Sequence, residues 1–114
     1  MRLWILVAVV GSLQAQSQTP MPAGSAQKGK LLFQNYGCYQ CHGREAQGGA
    51  GTGPRLAPRP IRFTALVKYV RRPTGQMPPY TSKVVSDQDL ADIYAFLQSQ
   101  PQPPAAKDIP VLNN

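Results

Sequence analysis

The chain has 114 residues, with 42% apolar residues, two cysteines, one histidine and a formal charge of +7. A chain this short forms one domain with limited apolar surface to bury, and two cysteines cannot build a disulfide scaffold. The soft and imidazole side chains number three, fewer than the four a structural zinc site takes.

Residues 1–15 read as a secretory signal. Met1-Arg2 give a positive start, Leu3 to Val10 are almost all apolar, and Gly11-Ser12-Leu13-Gln14-Ala15 supply small and polar residues. The apolar run is shorter than the roughly 20 residues of a membrane span, so no span is expected in the mature form. Cleavage is expected after Ala15, with Gln16 and Ala23 as alternative ends and an uncleaved anchor as the competing interpretation. No cysteine follows the apolar run, so a lipid anchor is not supported. Export predicts a periplasmic location. Residues 16–24 are polar, carry Pro20 and Pro22, and are expected to form a flexible lead-in.

Ser25 is a credible helix cap, and Ala26, Gly29, Phe33 and Tyr36 then recur at helical spacing until Gly37. Gly29 invites close approach by a second helix, with Phe33 packed beside it.

Cys38-Tyr39-Gln40-Cys41-His42 contains both cysteines and the only histidine. C-x-x-C-H is the attachment signature of c-type haem. Two thiols add to the vinyl groups as thioethers, and the adjacent imidazole reaches the iron. A thioredoxin-like dithiol would need a strand–helix setting, and Gly and Pro surround this pair instead. A plain disulfide would leave His42 unexplained. The expected cofactor is one covalently attached haem c with its iron, held through Cys38, Cys41 and His42.

Gly43, Gly48, Gly49, Gly51 and Gly53 make the next stretch a loop, either mobile or wrapped closely on something flat. Pro54 follows His42 by twelve residues. An axial histidine needs its other ring nitrogen satisfied, and the Pro54 carbonyl is assigned to it. Leu56 is expected against the haem edge. Pro58 and Pro60 keep the following segment extended.

Phe63 to Arg72 reads as a helix with Phe63, Leu66, Val67 and Val70 on one side, Thr64 as its cap and Pro73 as its end. Arg71-Arg72 suit the negative pole of its dipole. The segment from Pro73 to Tyr80 is irregular and fenced by prolines, and it places Met77. Of the three methionines, Met1 belongs to the signal and Met21 to the lead-in. Met77 is therefore the expected sixth ligand, a soft neutral thioether opposite histidine.

Ser86 and Asp89 form a capping box for the last helix, with Val85 and Leu90 as its staple. Leu90, Ile93, Tyr94 and Leu97 fall at i, i+3, i+4 and i+7, with Phe96 beside them. The apolar stripe needs a partner, and the Gly29/Phe33 face is the expected one. Asp87, Asp89 and Asp92 are read as complements to the helix dipole. Residues 100–114 are proline-rich and read as an extended tail.

In this order, the motifs resemble class I monohaem cytochromes c. The resemblance runs from Ser25 to Ser99, taken as the domain. It implies an all-α cytochrome c fold, three to four helices around one covalently bound haem, with first and last helices crossing at the glycine contact. It also implies low-spin haem, His42/Met77 ligation and electron transfer without catalysis. The sequence departs from the family in having no tryptophan outside the signal, where Trp4 lies, so an indole contact to a propionate is impossible. Tyr69, Tyr80 or an arginine would take that place.

The basic residues Arg44, Arg55, Arg59, Arg62, Lys68, Arg71, Arg72 and Lys83 face only Glu45 in the same stretch. This suits redox partners with acidic docking surfaces or a peripheral membrane contact, and no motif points to nucleic acid. The functional expectation is an exported single-electron carrier. Its rivals are a haem subunit of a periplasmic dehydrogenase or oxidase, a ligand-binding or peroxidatic protein with labile Met77, and a haemless exported dithiol protein.

Overall fold

The computed structural model describes residues 20–112. The expected export signal, Trp4 and the lead-in up to residue 19 lie outside the described residues, as do residues 113–114 of the tail. Four helices form: α1 (Ala26–Asn35), α2 (Tyr39–His42), α3 (Phe63–Arg71) and α4 (Asp87–Ser99). Two short 3₁₀ turns, Ala106–Asp108 and Pro110–Leu112, follow in the tail. Among the described residues the single β-pairing is an isolated bridge between Gly49 and Gly53, so the arrangement is all-α.

The caps follow from side-chain chemistry. Ser25 accepts the Lys28 N–H at the start of α1 at 3.3 Å. Gly37, with φ +77°, stops that helix by donating its N–H to the Gln34 carbonyl at 3.0 Å. At α4 the capping box is complete: Ser86 Oγ accepts the Asp89 N–H at 3.0 Å, and Asp89 Oδ2 accepts the Ser86 N–H at 3.2 Å. α3 differs from expectation. Its cap is Arg62, with no side-chain hydrogen bond, and Thr64 lies inside the helix with its side chain exposed. Phe63 already has helical backbone, so Thr64 is two residues too far along to cap.

α1 and α4 cross at Gly29, where a Cβ would run into the Asp92 carbonyl. Only a glycine lets the two backbones approach this closely, and the apolar stripe of α4 is thereby buried. Phe33 and Phe96 meet at the crossing with ring centroids 5.4 Å apart. On the other side of α4, Tyr94 packs edge-on against Phe63 of α3 at 5.5 Å. Leu66, Val85, Leu90, Ile93 and Leu97 complete the buried cluster.

Asp92 has a larger role than a dipole complement. It is 3% exposed, and its Oδ1 accepts the Ser25 N–H at 2.8 Å and the Gln88 amide at 3.3 Å. Its Oδ2 faces the Lys28 ammonium at 3.0 Å. One orphan donor at the start of α1, the Ser25 N–H, is thus satisfied from α4. Ala23 and Gly24 lie against the same helix: the Ala23 carbonyl accepts from Gln88 at 2.7 Å, and a Cβ on Gly24 would meet Ala91.

Candidate haem-binding site

Cys38 to His42 form a single helical turn. The Gln40 N–H donates to Gly37, the His42 N–H to Cys38 and the Gly43 N–H to Tyr39, at 3.1, 3.1 and 2.9 Å. Gly43, with φ +82°, ends the turn. Cys38, Cys41 and His42 therefore stand at i, i+3 and i+4, the spacing that shares one face of a helix. Sequence reading gave the spacing of the motif but not this turn.

The two thiols are both free and differ in surroundings. Cys41 is exposed and Cys38 half-buried. Burial pushes the Cys38 thiol up to about 11, against a weaker lowering by a backbone hydrogen bond. Such a thiol holds little thiolate at neutral pH, unlike a working exchange dithiol, whose reactive cysteine is lowered.

His42 is 9% exposed. Its Nδ1 lies 2.9 Å from the Pro54 carbonyl oxygen. A carbonyl only accepts, so Nδ1 carries the proton and Nε2 keeps its lone pair. Nε2 makes no hydrogen bond among the described residues, which leaves it able to bind a metal. The pairing with Pro54 is the one assigned from the sequence.

The glycine loop is wrapped, and its centre is Ala46. This residue has no exposed surface and a φ of +55°. Its carbonyl accepts from both Leu56 and Ala57, at 2.9 and 3.1 Å. The loop then grips the attachment turn. Gly48 N–H donates to the His42 carbonyl at 2.7 Å, and Thr52 Oγ1 donates to the Cys41 carbonyl at 2.9 Å. A Cβ on Gly53 would lie 2.8 Å from the Cys41 carbonyl oxygen and 3.0 Å from His42 Nδ1. Glycine there admits the backbone that carries Pro54 to the imidazole. Ala46 and Thr52 were not legible as site residues, because each acts through a backbone contact that composition does not signal.

Leu56 is half-buried and, like Cys38, Tyr39 and Tyr80, packs against the buried cluster. Met77 is half-buried in the Pro73–Tyr80 strap and stands outside that packed set. The strap is tied down at each end. Tyr69 Oη lies 3.0 Å from Thr74 Oγ1 and 3.2 Å from the Thr74 carbonyl. The Tyr80 N–H donates to Val70 at 3.0 Å, Arg71 donates to the Tyr80 carbonyl at 3.0 Å, and the Tyr80 hydroxyl donates to the Tyr36 carbonyl at 2.8 Å. Burial raises the Tyr80 phenol, and its bond to Tyr36 ties the strap to the residue two before Cys38. The strap is thereby brought to the attachment turn. The hydroxyls of Tyr69 and Tyr80, two candidates for a propionate contact, already have protein partners.

These residues fit a covalent haem. Two unpaired thiols share a helical face with an imidazole whose lone pair is free and whose other nitrogen is fixed. Among the described residues no group of three or more His, Cys, Asp or Glu side chains could hold a bare metal ion. No helix of the described residues is long and apolar enough to cross a membrane.

Residues 24–97 match the family model described as cytochrome c oxidase, cbb3-type, subunit III. No curated protein and no solved structure matches the chain.

Proposed function

The chain belongs to the c-type cytochrome family described as cytochrome c oxidase, cbb3-type, subunit III, with the all-α cytochrome c fold, and from that premise we propose that it is an exported monohaem carrier passing single electrons between redox proteins. Family membership implies covalently bound haem c, which supplies a one-electron iron couple when bound. The observation that carries the proposal is the His42 imidazole, fixed through Nδ1 to Pro54 on the same turn as both thiols.

Each residue has a role in that reading. Cys38 and Cys41 hold the macrocycle through thioethers and prevent its loss. His42 would hold the iron, with its ring oriented by Pro54. Met77 would be the second ligand to the iron, leaving no position for a substrate, and Leu56 would pack against the cofactor. With both ligands retained in either oxidation state, reorganisation would be small, and a thioether ligand would favour a higher potential than a second histidine. The thioethers also let a small domain count its cofactor as core.

The partner is a protein with an acidic docking surface. Arg55, Arg59, Arg62, Lys68, Arg72 and Lys83 are all exposed. Encounters of this kind are small and steered by charge. The expected location is the periplasm, reached by the signal at residues 1–15.

Visible spectra of the purified protein in both oxidation states test the ligand set. Low-spin spectra with a sulfur-to-iron charge-transfer band in the ferric form are expected. A high-spin ferric spectrum, with ready carbon monoxide binding by the ferrous form, would instead support the ligand-binding or peroxidatic rival. Transfer to an acidic partner should slow as salt rises, and a rate independent of salt would remove the steering argument. The family description favours one second reading, a haem subunit of an oxidase complex, with residues 100–114 as a docking arm. Copurification with a larger assembly would decide for it.

A further inference from the structure

Arg71 occupies a junction that neither the motif nor the family match assigns. Its Nη1 donates to the Tyr80 carbonyl at 3.0 Å, and its Nη2 pairs with Asp87 Oδ1 at 2.6 Å. One half-buried guanidinium therefore joins three elements: the end of α3, the C-terminal end of the Met77 strap and the first residue of α4. The strap between its two ties is bare. From Gly75 to Pro79 no residue makes a hydrogen bond among the described residues. Gly75 has φ +72° and open space around it. The position of Met77 is consequently set by where the strap is held at Thr74 and Tyr80, and not by local bonds.

We propose that Arg71 is a positioning residue for Met77, holding the Tyr80 carbonyl while Val70 and Tyr36 hold the N–H and hydroxyl of the same residue. Rigid planar geometry suits it to this, since two donors of one fork fix the distance between Tyr80 and α4. A lysine would place one charge and reach one acceptor. The Asp87 side of the fork is exposed and contributes little stability alone. Its function is to aim the guanidinium at the Tyr80 carbonyl. The inference rests on Met77 being the sixth ligand.

The test uses the haem-loaded protein and imidazole as a probe that competes with Met77. R71A should bind imidazole about tenfold more tightly than wild type, the scale of one charge-assisted hydrogen bond. R71K should fall between the two. D92N, which loosens the α1–α4 contact away from the strap, serves as the stability control and should leave imidazole affinity unchanged. D87N, which keeps the Tyr80 bond, should show a rise of about two- to threefold, and it stands in for R71A if that variant does not fold. Wild-type affinity in R71A, or in D87N as its substitute, would overturn the proposal, as would a rise in R71A no larger than that in D92N. M77A separates the two levels. If its ferric charge-transfer band persists, the ligation reading fails. If the band is lost while R71A behaves as wild type, ligation stands and the role of Arg71 falls.

Discussion

The Tyr80 hydroxyl donates to the Tyr36 carbonyl at 2.8 Å across 44 residues of sequence. Tyr36 is the C-cap of α1, and its carbonyl is one that a helix end leaves without an internal partner. The strap that carries Met77 thus completes the helix that leads into Cys38. Y80F should lower the stability of the haem-loaded protein by about 1 kcal/mol, the net worth of one hydrogen bond. Denaturant unfolding followed through the haem absorbance would measure it.

Asp92 should govern acid stability. Burial alone pushes its carboxyl up, but the Ser25 N–H, the Lys28 ammonium and the Gln88 amide prevail and hold it below the usual carboxylate value. A carboxyl lowered in the folded state contributes stability above its unfolded pKa, roughly 4. That contribution is lost as pH falls through the folded value. D92N should cost about 2 kcal/mol at neutral pH, because hydrogen bonds to a buried charge are lost. The gap between wild type and D92N should close in acid. Unfolding free energies measured from neutral pH down to strongly acidic pH would show whether it does.

Gly53 controls the second contact of His42. In G53A the new methyl presses on Cys41 and on Nδ1, moving the Pro54 carbonyl away from the ring. With His42 as the proposed iron ligand, that carbonyl would make the imidazole more electron-rich and so favour oxidised iron. Loosening it should raise the potential by about 20–40 mV, the one-electron equivalent of roughly 0.5–1 kcal/mol. A redox titration giving an unchanged or lowered potential would contradict this role.

Ala46 should tolerate only glycine. A46V puts a β-branched side chain at a left-handed backbone position with no free space and should cost about 3 kcal/mol. A46G suits the same φ and loses one methyl of packing, so it should lie within about 1 kcal/mol of wild type. Thermal unfolding of the pair would show the asymmetry.

What the sequence made legible was local or carried by one motif. Ser25, Gly37 and the Ser86–Asp89 box announce helix ends because each bonds within a few residues of itself. Gly29 and Phe33 were readable as a crossing because a glycine on an apolar helical face has few other uses. The His42–Pro54 pair was readable because the histidine of C-x-x-C-H needs an acceptor for its second ring nitrogen. What escaped notice depends on distant partners. Asp92 looked like one more acid at a helix start, since nothing near it in sequence names Ser25. Arg71 looked like a dipole complement, because its two acceptors come from later segments. Ala46 gave no signal at all; its left-handed backbone and its double acceptor exist only once the loop has closed.

The crossing of α1 and α4 also has a consequence for the order in which the protein is made. α1 has ten residues, too few to hold a stable helix alone in water. Its supports at Asp92, Phe96 and Tyr80 all leave the ribosome after the attachment turn does. Until the last helix arrives, α1 has only its local caps at Ser25 and Gly37. The crossing at Gly29 and the burial of Asp92 therefore form last, after the rest of the domain has been made.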